Sequence, residues 1–164
     1  MPTPTYFPIA TQTLGSAAST ITFSSIPQAY TDLRIVLSNI VVSSAGQCYM
    51  KYNAIASGYA FTQLGGNGTT LSSTGVISNG NLPLQWLTNN STTIPSSISI
   101  DIFSYAGTTN KTCLITNAQD YNGSGVVEIL CGLSTNTAAI TTVILGLGGG
   151  GNFNTGTIAT IWGI

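Results

Sequence analysis

From residue 97 to 105 the chain reads Ser-Ile-Ser-Ile-Asp-Ile-Phe-Ser-Tyr. Successive side chains of a strand point to opposite sides, so Ile98, Ile100 and Ile102 share one buried face and Ser97, Ser99, Asp101 and Phe103 take the other. Similar short runs of β-branched and aromatic residues, broken by Gly, Asn, Ser and Pro clusters, predict strands over residues 21–24, 33–42, 48–52, 112–117, 125–133, 139–147 and 157–164. Weaker patterns at 59–64 and 82–87 bring the total to some nine or ten. Asn67-Gly68, Asn79-Gly80 and Asn122-Gly123 suit tight turns, because both residue types tolerate positive φ. No window of about 12 residues keeps a helical apolar period, so helix should amount to about one turn.

Short strands that must close a core without helices form two packed layers, and the chain length suits one core. The expected fold is all-β: a single-domain antiparallel β-sandwich over residues 14–164, jelly-roll-like. Residues 1–13 differ, since Pro2, Pro4 and Pro8 cannot donate ladder hydrogen bonds; they predict an extended N-terminal arm. Tyr6, Phe7 and Ile9 are its apolar anchors and the candidate partner-binding residues. Two roles stand open for them: lying across a neighbouring subunit, or covering the arm's own sandwich.

Charge changes the picture more than hydropathy does. Three basic and four acidic residues make up 4% of the 164, against about 25% in an ordinary soluble domain. Hydroxyls and amides must carry the surface, and a net charge of −1 supplies little self-repulsion. Such a chain is expected to live docked against neighbours. The 43% apolar content excludes a disordered chain. No stretch approaches the roughly 18 apolar residues of a spanning helix, and residues 1–4 are neither basic nor followed by an apolar run, so no membrane is expected.

The same scarcity excludes most chemistry. With no histidine to serve as base, Ser/His/Asp and Cys/His catalysis are unavailable, and no Ser-x-x-Lys motif replaces them. A glycosidase pair would have to come from Asp32, Asp101, Asp120 and Glu128. Asp101 and Glu128 lie in strand patterns and are expected to be solvated or salt-bridged at the surface. Residues 117–123 offer oxygen ligands in a turn but too few carboxylates for a tight calcium loop. The glycines at 146 and 148–151 lack the following Lys-Ser/Thr of a phosphate loop and read as a hairpin tip. Arg34, Lys51 and Lys111 are too few for a nucleic-acid footprint. Cys48, Cys113 and Cys131 show no CxxC spacing and are expected to be buried free thiols, which fits synthesis in a reducing cytosol. No enzyme, cofactor or metal is expected. Trp86 and Trp162 have two readings, core packing or stacking on a sugar.

Several blocks carry a resemblance. Leu14-Gly15-Ser16-Ala17-Ala18-Ser19-Thr20-Ile21-Thr22-Phe23-Ser24-Ser25-Ile26-Pro27 with Tyr30-Thr31-Asp32-Leu33 resembles the opening of a family of tailed-bacteriophage virion structural proteins. Tyr59-Ala60-Phe61-Thr62-Gln63-Leu64 with Gly66-Asn67-Gly68 is similar to its middle, as are Ile100-Asp101-Ile102, Tyr105-Ala106-Gly107 and Asn110-Lys111-Thr112. Asn136-Thr137-Ala138-Ala139-Ile140-Thr141, Gly151-Asn152-Phe153, Gly156-Thr157 and Trp162-Gly163-Ile164 resemble its end. The resemblance implies a structural role without catalytic residues: capsid decoration, fibre or other appendage. A compact chain without fibrous repeats or heptads points to a decoration (cement) protein bound between capsid subunits, or else the globular domain of a fibre that binds a host glycan or receptor. The implied partners are the major capsid protein or other virion proteins; because symmetric capsid positions favour cyclic assemblies, a homo-oligomer, a trimer, is expected as well. The implied location is the virion, assembled in the host bacterial cytoplasm.

Overall fold

The computed structural model describes residues 5–120 and 124–164, the side chains of residues 78 and 79 excepted; the expected turn at Asn122-Gly123 lies outside them. Among the described residues twelve strands follow one another: β1 (Phe7–Thr13), β2 (Thr20–Phe23), β3 (Leu33–Ile40), β4 (Cys48–Tyr52), β5 (Tyr59–Gly66), β6 (Leu71–Asn79), β7 (Leu82–Pro83), β8 (Ser96–Phe103), β9 (Lys111–Asp120), β10 (Gly125–Ser134), β11 (Val143–Leu147) and β12 (Ile158–Gly163). All strand pairs are antiparallel. An eight-stranded sheet, in the order β1-β12-β3-β8-β9-β10-β5-β6, packs against a four-stranded one, in the order β2-β11-β4-β7. The chain is an all-β sandwich.

Strand alternation does what the sequence predicts. Ile98, Ile100 and Ile102 point into the core beside Leu33, Ile35 and Leu37 of β3, against Ile21, Met50, Val143 and Leu145 from the small sheet. Burying one such side chain contributes about 1.5–3 kcal/mol, so this inter-sheet layer supplies most of the stabilisation.

Residues 7–13, set apart by proline spacing, are extended as expected but belong to the sheet. They pair with β12, with a register shift between Pro8 and Ala10 that leaves Ile9 as a bulge. Pro8 is tolerated because β1 is an edge strand. Strand β6 also exceeds the sequence reading. As an edge strand it needs no buried face, so Leu-Ser-Ser-Thr-Gly resembles a loop. Asn67-Gly68 forms the expected β5–β6 turn: Gly68 has φ +88°, and Asn67 Oδ1 accepts the Thr69 and Thr70 N–H groups. The glycine run forms a single 3-10 turn over Gly148–Gly150, in which Gly149 and Gly150 both adopt φ +77°.

Lys111 opens β9 with its side chain turned inward and 1% exposed. Its ammonium donates to the carbonyls of Gly107 and Thr109, each at 2.6 Å, and of Thr137 at 3.2 Å. It thereby ties the β8–β9 loop to the loop after β10. Lys111→Met keeps the stem and removes the donors, and should cost about 1–3 kcal/mol, read as a lower urea midpoint with an unchanged slope.

Candidate functional site

The outer face of the eight-stranded sheet differs in its chemistry from the hydroxyl and amide background, and it divides into two zones. The first lies where β12, β3 and β8 run side by side. Trp162 is the cross-strand neighbour of Arg34, which in turn faces Asp101. Arg34 Nε lies 3.3 Å from Asp101 Oδ1, and Nη2 is 3.4 Å from Ser99 Oγ. Arg34 Nη1 donates to the Tyr6 hydroxyl at 2.8 Å, with the guanidinium 5.8 Å from the centre of the Tyr6 ring. Both charged side chains are partly solvated, so the ion pair contributes at most about 1 kcal/mol.

Two of the sequence candidates meet here, Tyr6 and Trp162, and the other anchors separate from them. Tyr6 is 44% exposed. Phe7 and Ile9 are half-buried: Phe7 stacks on Tyr30, with ring centroids 5.6 Å apart, and Ile9 packs on the core. For these two, covering the chain's own sandwich is the role the packing supports. Trp86 is half-buried, its ring 4.9 Å from that of Phe61.

The second zone runs over β9, β10, β5 and β6. Leu114, Val127, Ile129, Leu64, Leu71 and Ile77 point outward and are exposed, Leu71 and Ile77 at 85%. Cys131 lies among them, between Leu114 and Thr62. The side chains described in this zone bear no charge apart from Asp120 at its rim.

Beneath it, the inner face of the same strands carries a cluster of buried polar side chains among its apolar ones. Glu128, expected at the surface, is 1% exposed; Val126, Glu128 and Leu130 form the inward row of β10. Glu128 Oε2 accepts the N–H groups of Trp86 at 2.7 Å and Leu87 at 3.0 Å, and Asn117 Nδ2 is 3.5 Å from Oε1. Gln119 Nε2 donates to Gln85 Oε1 at 2.9 Å, and Ser96 Oγ to Asn90 Oδ1 at 2.9 Å. The cause is local. Past β7 the chain leaves the small sheet: Leu84 and Asn90 still donate to the Cys48 and Gly46 carbonyls, while the N–H groups of Trp86 and Leu87 between them turn to the Glu128 carboxylate of the large sheet. Strand periodicity alone does not reveal this, because it places a residue on a face without saying what covers the face.

The remaining candidates do not converge. Asn117 and Gln119 point inward and Ala118 and Asp120 outward, so residues 117–120 cannot fold round a calcium ion; residues 121–123 lie outside the described part. Among the described residues no group of three His, Cys, Asp or Glu side chains could hold a metal. Arg34 and Lys51 sit on different sheets and Lys111 is buried.

The three cysteines are free, as expected, but only two are buried: Cys131 is exposed on β10's outward row. Desolvation pushes the thiols of Cys48 and Cys113 up to about 12, despite an Asn90 hydrogen bond on Cys48. At neutral to mildly alkaline pH these two carry almost no thiolate, the reactive form. A thiol reagent should therefore label one cysteine per folded chain, identified by peptide mapping as Cys131, and all three in denaturant. Labelling of Cys48 or Cys113 in the native protein would contradict this packing. No protein-family model matches the chain, and no curated protein matches it.

Proposed function

We propose that the chain is a structural protein of a tailed-phage virion, a decoration protein that docks between capsid subunits and stabilises the head. The observation that carries this reading is the outer face of the large sheet, a broad surface that joins an apolar zone to one with a single ion pair and exposed aromatic side chains, on a protein with few charged residues. Docking such a surface pays little ionic desolvation, and binding to the assembled lattice stabilises it by mass action. The order β1-β12-β3-β8 opposite β2-β11-β4-β7 is what a jelly roll would have, with β9, β10, β5 and β6 added at one side. Jelly rolls serve in viral capsids and lectins alike, so the fold supports the reading without deciding it. Tyr6, exposed and held by Arg34, remains the member of the N-terminal trio best placed to touch a neighbouring subunit.

The test uses phage heads that lack the protein. Purified chain should co-sediment with them to a saturable level and raise their temperature of disruption. Heads that bind none, or bind it without any gain in heat resistance, would remove the decoration role.

A second reading has one observation in its favour. Tyr6, Arg34, Asp101 and Trp162 place aromatic rings beside charged hydrogen-bonding groups on an open face, a combination suited to a host-surface sugar on a fibre or appendage domain. Glycan-array binding abolished by Trp162→Ala would favour it. Trp86→Ala is the poorer probe, since Trp86 packs on Phe61 and its loss acts through the fold.

A further inference from the structure

The apolar zone of the outer face ends in strand β6, and the two features belong together. Strand β6 is the last strand of the large sheet, and among the described residues no strand pairs with its free edge. Its outward row is Leu71, Ser73, Gly75 and Ile77. Neither a charged residue nor a proline occurs anywhere in its nine residues. The straight run from Leu71 to Val76 therefore presents unpaired N–H and C=O groups with none of the usual guards, and the register shift comes only beyond it. The opposite edge of the same sheet is guarded: β1 carries Pro8 and a bulge at Ile9.

We infer that β6 and the adjoining outward row of β5, β10 and β9 form an interface between copies of this chain. Three arguments select a second copy as the occupant. The first is size. The exposed portions of Leu64, Leu71, Ile77, Leu114, Val127 and Ile129, with Phe103 at the border, sum to the order of the 800 Å² per partner that a stable interface uses. The second is charge. The apolar patch offers nothing that would select a charged partner, whereas a face of Leu and Ile ridges beside glycine gaps can complement itself. Hollows of about 390 Å³ by Gly75 and Ile77, and about 360 Å³ by Gly66 and Leu71, flank the ridge residues that a second copy would present. The third is the edge itself. An unguarded strand meets its own copies first, and closed symmetric association is what ends that exposure without fibre growth. This inference does not rest on the virion reading: copies joined through β6, β5, β10 and β9 would leave Tyr6 and the zone over β12, β3 and β8 open to the particle.

The test is the molar mass of the full chain by sedimentation equilibrium, together with the rate at which a thiol reagent reaches Cys131. The wild type should sediment as a multiple of the 16.9 kDa chain. Leu71→Asp with Ile77→Asp should return it to a single chain and raise the Cys131 labelling rate several-fold, with the near-ultraviolet circular dichroism unchanged, because both side chains are already 85% exposed. Thr22→Asp, exposed on the small sheet, should alter neither reading. A wild type that stays a single chain at millimolar concentration overturns the inference. So does an assembly that the paired aspartates leave intact, and so does a Cys131 equally reactive in both proteins. Should the aspartate pair disturb the fold, Val127→Lys, at 63% exposure, carries the same expectation.

Discussion

Glu128→Ala should lose up to about 6 kcal/mol, because it leaves the part-buried N–H groups of Trp86 and Leu87 without their acceptor, at roughly 1–3 kcal/mol each. Against a typical total of about 5–15 kcal/mol, that is a large share of the stability. Glu128→Gln gives the decisive contrast. A glutamine oxygen can still accept both N–H groups; its amide nitrogen would then meet Asn117 Nδ2, a donor, until the Asn117 amide turns over and presents its Oδ1, which is buried without a hydrogen-bond partner. The glutamine variant should therefore stay within about 1 kcal/mol of the wild type. Urea unfolding of the two variants checks this. Equal, large losses in both would mean that the carboxyl group does something other than close the 84–90 segment onto the sheet.

The second large effect is alkaline. The Cys48 and Cys113 thiols ionise near 12 in the folded chain, against an ordinary 9.0. A folded-state value raised above the unfolded one gives stability that is fully present below pH 9 and lost as the pH rises towards 12, since only the unfolded chain then releases these protons. Three pH units correspond to about 4 kcal/mol per thiol. Burial raises Tyr52, Tyr59 and Tyr105 as well, which adds to the loss above their ordinary value of 10.0. Desolvation lowers Lys111 and acts in the opposite sense, but it is a single group against two thiols and three phenols. Urea midpoints should fall steeply between pH 9 and pH 11, and Cys48→Ala with Cys113→Ala should flatten that fall even while lowering stability at neutral pH. A midpoint that is level across this range would contradict the burial of both thiols.

How much of this was legible in the sequence depended on what each strand touches. Strands with one dry face announced themselves, as Ile98, Ile100 and Ile102 do, because burial enforces a period of two. Strands β1 and β6 did not, because each is an edge: one contains Pro8 and the other Ser, Thr and Gly, and neither needs a continuous apolar row. Glu128 and Cys131 were misplaced for a related reason. Their strand was evident from Val126 to Leu130, but which of its faces lay under residues 84–90 was set by the path of a distant loop. Of the candidate surface, Tyr6 and Trp162 could be named from their chemistry. Their meeting through Arg34 could not, since it depends on β12 lying beside β3, an adjacency between strands more than a hundred residues apart.

The central claim, a structural place in a virion, is tested most directly by counting copies of the chain in purified particles by quantitative mass spectrometry against the major capsid protein. A decoration protein should be present in numbers comparable to the capsid protein. A few tens of copies or fewer would move it to a fibre or tail, and its absence from the particle would contradict the virion assignment altogether.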